Sequence, residues 1–244
     1  MLFTDGTILT IQDLREHDNF VLEVASTESI ELSTKLAVAQ RELGYEISTF
    51  LLTRRLGNDL DRVVVTQQLR DLLAIHTLGI VYREAYNSHL NDRYLGRWKE
   101  FSRASERGLL RYLQSGVGIA GAPVAQAQPP VVSLTMQGDL AQGTYYVQIA
   151  WQHLAGNVGE KSPVMEVESP GGGMIIHPSV APMNVAGWHV FVGSQEDRLK
   201  RQNEAPIGPG ALWTQNDGIR QDLPGPEASG PDYFVRNSGQ ILRG

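Results

Sequence analysis

The 244-residue sequence predicts a mixed α + β protein whose helices and strands occupy separate domains. In residues 1–116, apolar side chains recur at steps of three and four, which is the spacing of amphipathic helices. Residues 117–130 carry no charge and are rich in Gly, Ala and Pro, as interdomain linkers are. Over residues 131–215 the apolar period changes to two, which is typical of strands with one buried face. We therefore expect an N-terminal antiparallel helical bundle, a C-terminal antiparallel β-sandwich, and an extended C-terminal arm over 216–244.

The first half of the sequence contains the start and stop signals of four helices. Thr10 or Asp13 is a suitable N-cap for a short first helix with the sequence IQDLREH. A second helix, capped by Thr27 or Ser29, is predicted to run to about Arg54. Its apolar face is formed by Leu32, Leu36, Ala39, Leu43, Ile47 and Phe50.

The third and fourth helices are predicted over residues 65–87 and 92–115. The apolar stripe of the third consists of Leu69, Leu72, Ile75, Gly79, Tyr82 and Tyr86. The stripe of the fourth consists of Tyr94, Trp98, Phe101, Ser105, Leu109 and Tyr112. Because isolated helices cannot bury such stripes, three long ones predict a bundle. We expect Tyr94, Trp98 and Phe101 to form a seam of its core.

The strands of the second half are predicted from short runs rich in β-branched and aromatic residues. These runs are VVSLTM, TYYVQIAWQHL, PVMEVE, MIIHP and WHVFVG. Turn-forming clusters separate them, namely QGDLAQG, AGNVGEKS, SPGGG and PMNVAG. Residues 216–244 contain Gly, Pro, Asn and Asp around one apolar cluster, Tyr233-Phe234-Val235, so we expect them to be extended.

Composition limits the classes of function. The formal net charge is −6, whereas tight and sequence-independent nucleic-acid binding depends on neutralising phosphates. The absence of cysteine excludes disulfides, thiolate zinc sites and cysteine nucleophiles, and favours folding in a reducing compartment. The N-terminal residues lack the pattern of a signal peptide, and no segment approaches roughly 18 uninterrupted apolar residues. We therefore expect neither secretion nor a membrane span.

No motif in the sequence predicts catalysis. The glycines of GVGIAG, residues 116–121, match the letters of a dinucleotide-binding motif, but a helix precedes them and a Pro-rich segment follows. The histidines include no pair spaced for metal binding on a helix, and His76 is expected to be a satisfied core or interface residue. We therefore expect no enzyme activity, no catalytic residue, no metal and no cofactor. An active site assembled from scattered residues stays an alternative.

The fourth helix carries five arginines that are candidate interface residues: Arg93, Arg97, Arg103, Arg107 and Arg111. Spacings of four place neighbouring members of this set on shared faces of the helix. Glu100 and Glu106 dilute the positive charge. Two interpretations stay open, a solvated helix face or a stripe that meets an acidic partner surface or passing DNA.

The C-terminal arm carries five further candidate interface residues: Tyr233, Phe234, Val235, Ile241 and Leu242. A purely solvated tail does not need apolar anchors. Such anchors on an extended segment are typical of a peptide that occupies a partner's groove or extends its sheet. The arm either docks on another subunit or folds back on its own sandwich.

Three segments of the helical half carry a resemblance to a known family: VVVTQQLRDLL, YREAYNSHLNDRY and GRWKEF. With their helix order, these segments resemble the helical core of head–tail adaptor proteins of tailed bacteriophages, over roughly residues 8–120. The resemblance implies a homo-oligomeric ring, usually twelvefold in that family, beneath the portal protein of the virion. Such a ring docks the tail or the next neck protein and lets genomic DNA pass, without sequence-specific binding. It implies a virion protein that folds and assembles in the host cytoplasm, and the arm described above is a candidate contact to the portal.

The strand-rich half carries a second resemblance. GTYYVQIAWQHLAGNVGEKSP, and AGWHVFVGSQEDRLKRQN followed by PIGPGALW, resemble strands of immunoglobulin-like and fibronectin type III modules of phage structural proteins. The hairpin-like segment comes first, so the module departs from the standard strand order. A different class of function is the alternative: a carbohydrate- or receptor-binding sandwich on a helical stalk, with Trp151, Trp188 and Trp213 as stacking platforms.

Overall fold

The computed structural model of the protein describes residues 1–89, 92–215, 218–225, 227–237 and 241–243. Helices occupy the N-terminal half and antiparallel sheets the C-terminal half, which confirms the predicted mixed α + β class. The chain forms two compact units. The helical unit comprises Phe3–Gly121 and Pro231–Gly244, and the sheet unit comprises Met1–Leu2 and Ala122–Gly230. None of the helices described is both long enough and apolar enough to cross a membrane.

The described part of the helical unit contains five α-helices and one short 3-10 helix. They are α1 (Ile11–His17), α2 (Val21–Thr27), α3 (Leu32–Thr53), the 3-10 helix Leu60–Arg62, α4 (Gln67–His89) and α5 (Asp92–Ser115). The N-cap of α1 is Thr10, one of the two residues that the sequence predicts. Its hydroxyl accepts from the Asp13 amide, and the Asp13 carboxylate accepts from the Thr10 amide. These reciprocal bonds satisfy two N–H groups that have no partner within the helix.

The predicted start of the second helix, with Thr27 or Ser29 as N-cap, is wrong. In this region the structure has the end of one helix and the start of the next. α2 ends at Thr27, and α3 begins at Leu32 with Glu31 as its N-cap. Ser29 lies between them with a φ of 55°, in the left-handed region that ends a helix and reverses the chain. The glutamate carboxylate accepts a hydrogen bond from the Ser33 amide, which is the role usually taken by a shorter side chain.

α4 packs against α1, α2, α3 and α5 and is the central helix of its unit. Its buried residues lie around the whole helix axis: Leu69, Leu72, Leu73, Ala74, Thr77, Leu78, Gly79, Ile80, Val81, Tyr82 and Ala85. The single stripe expected from the sequence is therefore incomplete, and Ile75 and Tyr86 of that stripe are only half-buried. The physical reason is that a helix with neighbours on all sides needs apolar residues on all sides.

α4 and α5 run antiparallel, because residues progressively earlier in α4 contact residues progressively later in α5. The successive contacts are Tyr86–Trp98, Tyr82–Phe101, His76–Ser105 and Gln68–Ser115. Of the predicted seam, Tyr94 and Phe101 are buried, whereas Trp98 is half-buried and stacks on Tyr86 with ring centres 5.4 Å apart.

A small antiparallel sheet closes the helical unit. It consists of β1 (Val117–Ile119), β9 (Tyr233–Val235) and β10 (Ile241–Arg243), in the order β1-β9-β10. The segment expected to be a linker thus begins as a strand, and the segment expected to be an extended arm returns to pair with it. β1 follows the end of α5 directly, and β9 pairs with it in antiparallel register. Val117 and Ile119 of β1 are buried. Residues 218–225 and 227–230 of the predicted arm belong to the sheet unit, as a tail folded back on its own sheets would, whereas β9 and β10 belong to the helical unit. Docking of the arm on another subunit or on the portal stays a prediction.

The sheet unit contains two antiparallel sheets that share one apolar core. Its strands are β2 (Val131–Leu140), β3 (Gly143–His153), β4 (Met165–Ser169), β5 (Gly172–His177), β6 (Val185–Gly193), β7 (Lys200–Arg201) and β8 (Trp213–Thr214). One sheet has the order β4-β3-β6-β7 and the other β2-β5-β8. The core includes Trp151 and Trp188, which lie opposite each other on β3 and β6, together with Met174 and Ile176 of β5. The five predicted runs correspond to β2–β6.

A buried histidine lies on β6 and is held in its neutral form. The Nε2 atom of His189 lies 2.8 Å from the amide oxygen of Gln152, and its Nδ1 lies 3.1 Å from the amide nitrogen of Asn203. Because an amide nitrogen only donates, Nδ1 accepts and Nε2 carries the proton. The side chain is 3% exposed, and this burial, with the nearby Arg201 cation, lowers the pKa of His189 to about 4.

Candidate functional site

The five candidate arginines lie on one face of α5. All five are exposed: Arg93, Arg97, Arg103, Arg107 and Arg111. At 3.6 residues per turn they occupy an arc of roughly 120°, over a length of roughly 27 Å. The structure therefore brings the predicted set together on a single surface.

This face is positive although the protein as a whole is negative. Residues 92–115 contain six Lys/Arg and three Asp/Glu, a net charge of +3. The other 220 residues contain 15 Lys/Arg and 24 Asp/Glu, a net charge of −9. The charge of α5 is thus opposite in sign to that of the remaining chain, which favours contact with an acidic surface.

Ion pairing divides the arginines into two groups. Arg93 lies 3.6 Å from a carboxylate oxygen of Glu23 on α2. Arg97 lies 3.4 Å from a carboxylate oxygen of Glu100 on its own helix. Across the described residues, no carboxylate lies within 4 Å of the three later arginines, and Arg107 donates only to the carbonyl of Arg103. Exposed pairs of this kind stabilise a fold by about 0–1 kcal/mol, so the pairing does not explain why the arginines are there.

An exposed leucine lies among the three later arginines. Leu110 is 61% exposed and comes three residues after Arg107 and seven after Arg103, which places all three on one side of the helix. We call Leu110 with Arg103, Arg107 and Arg111 the Leu110 patch. Sequence spacing alone does not single out this leucine, because an apolar residue beside a charged face has the same spacing whether it is exposed or buried.

The candidate residues of the C-terminal arm are anchored within their own chain. Val235 is 2% exposed and pairs with Val117, while Tyr233 and Phe234 are half-buried. The Tyr233 hydroxyl lies 3.3 Å from the guanidinium of Arg62. The other two candidates, Ile241 and Leu242, lie on β10, whose backbone pairs with β9.

The residues that follow β9 hold the C-terminal end of α5. The Arg236 side chain donates to the carbonyl of Ser115 at 2.9 Å, and the Asn237 amide donates to the carbonyl of Leu113 at 3.1 Å. Carbonyls in the last turn of a helix have no partner within the helix, so these bonds cap α5. The arm therefore stabilises the helix that carries the Leu110 patch.

Several grooves open on the described surface of the helical unit, and one of about 190 Å³ lies at His76 and Ser105 between α3, α4 and α5. Two others are larger. The first, which we call the α2 groove, has a volume of about 400 Å³, and its walls include Ile11, Ala25, Ser26, Ile30, Glu31 and Leu32. The second has a volume of about 640 Å³ and lies between the N-terminal residues and α3, with Phe3, Arg41, Gly44, Tyr45 and Leu60 in its walls. The α2 groove is lined by four apolar residues, two serines and one glutamate, whereas the wall of the second carries an arginine.

Three helices bring together a polar cluster that the sequence analysis did not assemble. His76 of α4 lies 2.9 Å from the Ser105 hydroxyl of α5 through Nδ1, and 2.9 Å from the Glu42 carboxylate of α3 through Nε2. The expectation that His76 is a satisfied histidine is confirmed. No spacing signal could identify the cluster, because each member comes from a different helix.

The cluster has the residue types of a serine nucleophile with its base and acid. Acyl transfer also requires N–H donors for the developing oxyanion. Ser105 lies in the interior of α5, where the amides already donate to carbonyls four residues earlier. We therefore interpret the cluster as hydrogen bonds that join α3, α4 and α5.

No family model matches this chain, and no curated protein is significantly similar to it.

Proposed function

We propose that the protein is a structural virion protein, a head–tail adaptor of a tailed bacteriophage that forms a ring beneath the portal. In this proposal the ring has twelve subunits, docks the tail or the next neck protein, and lets DNA pass through its lumen. The observation that carries the proposal is the outer face of α5. A positive helix with an exposed leucine, on a chain that is otherwise negative, is an assembly surface.

The arrangement of the helices supports the same proposal. The segments with the strongest resemblance to adaptors lie on α4 and α5, which pack as an antiparallel pair around the core of the helical unit. We infer that the helical unit is an antiparallel bundle of the adaptor kind. We infer also that the sheet unit is an immunoglobulin- or fibronectin-like sandwich, which two antiparallel sheets around one core support.

The alternative is a carbohydrate- or receptor-binding module with three tryptophans as stacking platforms, and two of the three are buried. Trp151 and Trp188 are 1% and 0% exposed, so neither ring has a face on which a sugar could stack. The indole N–H of Trp188 donates to the carbonyl of Gly208 at 3.2 Å, so this polar group is satisfied inside the unit. Only Trp213 of the three is half-buried rather than buried.

The proposal is tested by the mass of the particle that the full-length protein forms, alone and with the portal protein. Mass photometry or native mass spectrometry should give a closed species at one multiple of 26.9 kDa, with the portal either present or absent. Electron microscopy of that species should show a ring with a central channel. A protein that stays at 26.9 kDa under both conditions and binds a glycan array instead supports the alternative function.

A further inference from the structure

Two surfaces of the helical unit carry apolar side chains next to charges of opposite sign. The Leu110 patch is an exposed leucine with three arginines on one side of it, and the α2 groove is a depression lined by four apolar residues, two serines and one glutamate. They lie on different elements: the patch on α5, and the groove on α1, α2 and the start of α3. Within a single subunit the described residues leave the patch without an ionic partner and the groove open.

We propose that the α2 groove of one subunit binds the Leu110 patch of a second copy of this chain. This inference rests on the proposed ring and identifies its subunit contact. Because the two surfaces differ, the contact is heterologous, and each subunit uses its patch on one neighbour and its groove on the other. A contact of this type cannot be saturated in a dimer, and it closes into a ring when the rotation per subunit permits.

The shape of the groove suits an aliphatic side chain. Its wall contains Ala25, Ile30 and Leu32, and Ile11 and Leu22 remain exposed at or beside its rim. A volume of about 400 Å³ has room for a leucine together with the stems of neighbouring arginines. Seating Leu110 there removes apolar surface of both partners from water, which is the main driving force of association.

The charges at the groove select the basic patch. Glu31, which also caps α3, lies in the wall, and Glu23, which is 63% exposed and 3.6 Å from Arg93 of its own subunit, lies on α2 one turn before Ser26. Arg107 and its neighbours would meet these carboxylates as Leu110 enters. The larger groove is the competing receptor, but Arg41 in its wall would repel the patch.

A second protein copy fits the patch better than a nucleic acid does. Nucleic-acid backbones bind cations through phosphates and have no use for an exposed leucine between those cations. Protein interfaces combine a buried apolar centre with charged residues at the rim, which is the composition of the Leu110 patch. The net charge of −6 also opposes approach of a polyanion.

Single substitutions with matched controls test the contact in the full-length protein. Leu110→Glu removes the apolar anchor and adds a negative charge, and Leu52→Glu makes the same change at a leucine of similar exposure on α3. Ser26→Arg fills the groove with a cation, and Thr27→Arg places the same cation at the adjacent exposed position. We expect the first member of each pair to weaken self-association at least tenfold, and both controls to assemble like wild type.

Mixing the two defective variants gives the sharper result. Leu110→Glu retains an intact groove, and Ser26→Arg retains an intact patch. One molecule of each can therefore form a single intact contact, and the two surfaces that remain are both defective. We expect the mixture to give a 1:1 particle of twice 26.9 kDa, while each variant alone stays at 26.9 kDa. Circular dichroism spectra and melting temperatures equal to wild type verify that each variant is folded.

Three outcomes overturn the inference. The first is that both defective variants form the same assembly as wild type. That result refutes the proposed contact but not the proposed ring. The second is a mixture that contains no heterodimer. The third is a set of variants that assemble normally and lose affinity for DNA, which assigns the patch to nucleic acid. A wild-type protein that never assembles removes the ring proposal itself, so the two failures are distinguishable.

Discussion

Acidification should destabilise the sheet unit through His189. In the folded protein its pKa is about 4, whereas the ordinary value is 6.5. Between these values the unfolded chain binds a proton that the folded chain does not bind, so stability rises with pH in this window. The contribution is fully present above about pH 6.5 and is lost as the pH falls towards 4.

The magnitude follows from these two values. Each pKa unit corresponds to about 1.4 kcal/mol, and linkage over the interval from pH 7 to pH 4.5 gives a loss of about 2 kcal/mol. The physical origin is the cost of placing an imidazolium between strands. Protonated Nδ1 would face the amide nitrogen of Asn203, which is a donor as well.

Urea unfolding followed by tryptophan fluorescence measures this effect, with Trp98→Phe as background so that the signal comes from the sheet unit. His189→Gln is the matched variant, because its amide keeps a donor and an acceptor but does not titrate. Subtracting the pH dependence of the variant removes the contribution of all the carboxylates. If both proteins lose the same free energy between pH 7 and pH 4.5, His189 is not the buried neutral group that the geometry describes.

Three further predictions concern the helical unit. Tyr112→Phe should raise the free energy of unfolding by about 1 kcal/mol in urea titrations, because the buried hydroxyl has no partner among the described residues and burial raises its pKa. Phe101→Ala should cost ~3–5 kcal/mol and Trp98→Ala only about 2 kcal/mol, since the tryptophan is half-buried; equal losses would contradict the packing. Deleting residues 231–244 should lower the melting temperature of the helical unit and cost more than about 2 kcal/mol, because β9 buries a valine and the following residues cap α5; an unchanged melting temperature would contradict this role.

The sequence predicts the elements of this fold well where the signals are local. α5 has the predicted bounds because Asp92 opens it and a regular apolar stripe continues to Tyr112. β3 and β6 agree with their predicted runs to within a few residues, because alternation and flanking turn residues are both short-range signals. The N-cap of α1 is predictable from the sequence for the same reason.

Features that depend on distant residues were not predicted. β1 pairs with β9 across more than a hundred residues, and no local pattern in either segment identifies its partner. α2 was missed because seven residues carry too little periodicity to separate a helix from the flank of the next one. The polar cluster of Glu42, His76 and Ser105 depends in the same way on three helices meeting.

The candidate site shows the same division between local and distant information. The arginine spacing on α5 was visible in the sequence, yet a solvated face and a binding face have the same spacing. What separates them is which cations the folded chain already neutralises. Glu23, seventy residues before Arg93, reaches the first of these arginines, while the described residues place no carboxylate oxygen within 4 Å of Arg107. The same region exposes Leu110; a single exposed leucine is ordinary on a protein surface, but this one lies beside cations that the chain does not neutralise. Unneutralised charge and exposed apolar surface at one place are what favour a binding face over a solvated one.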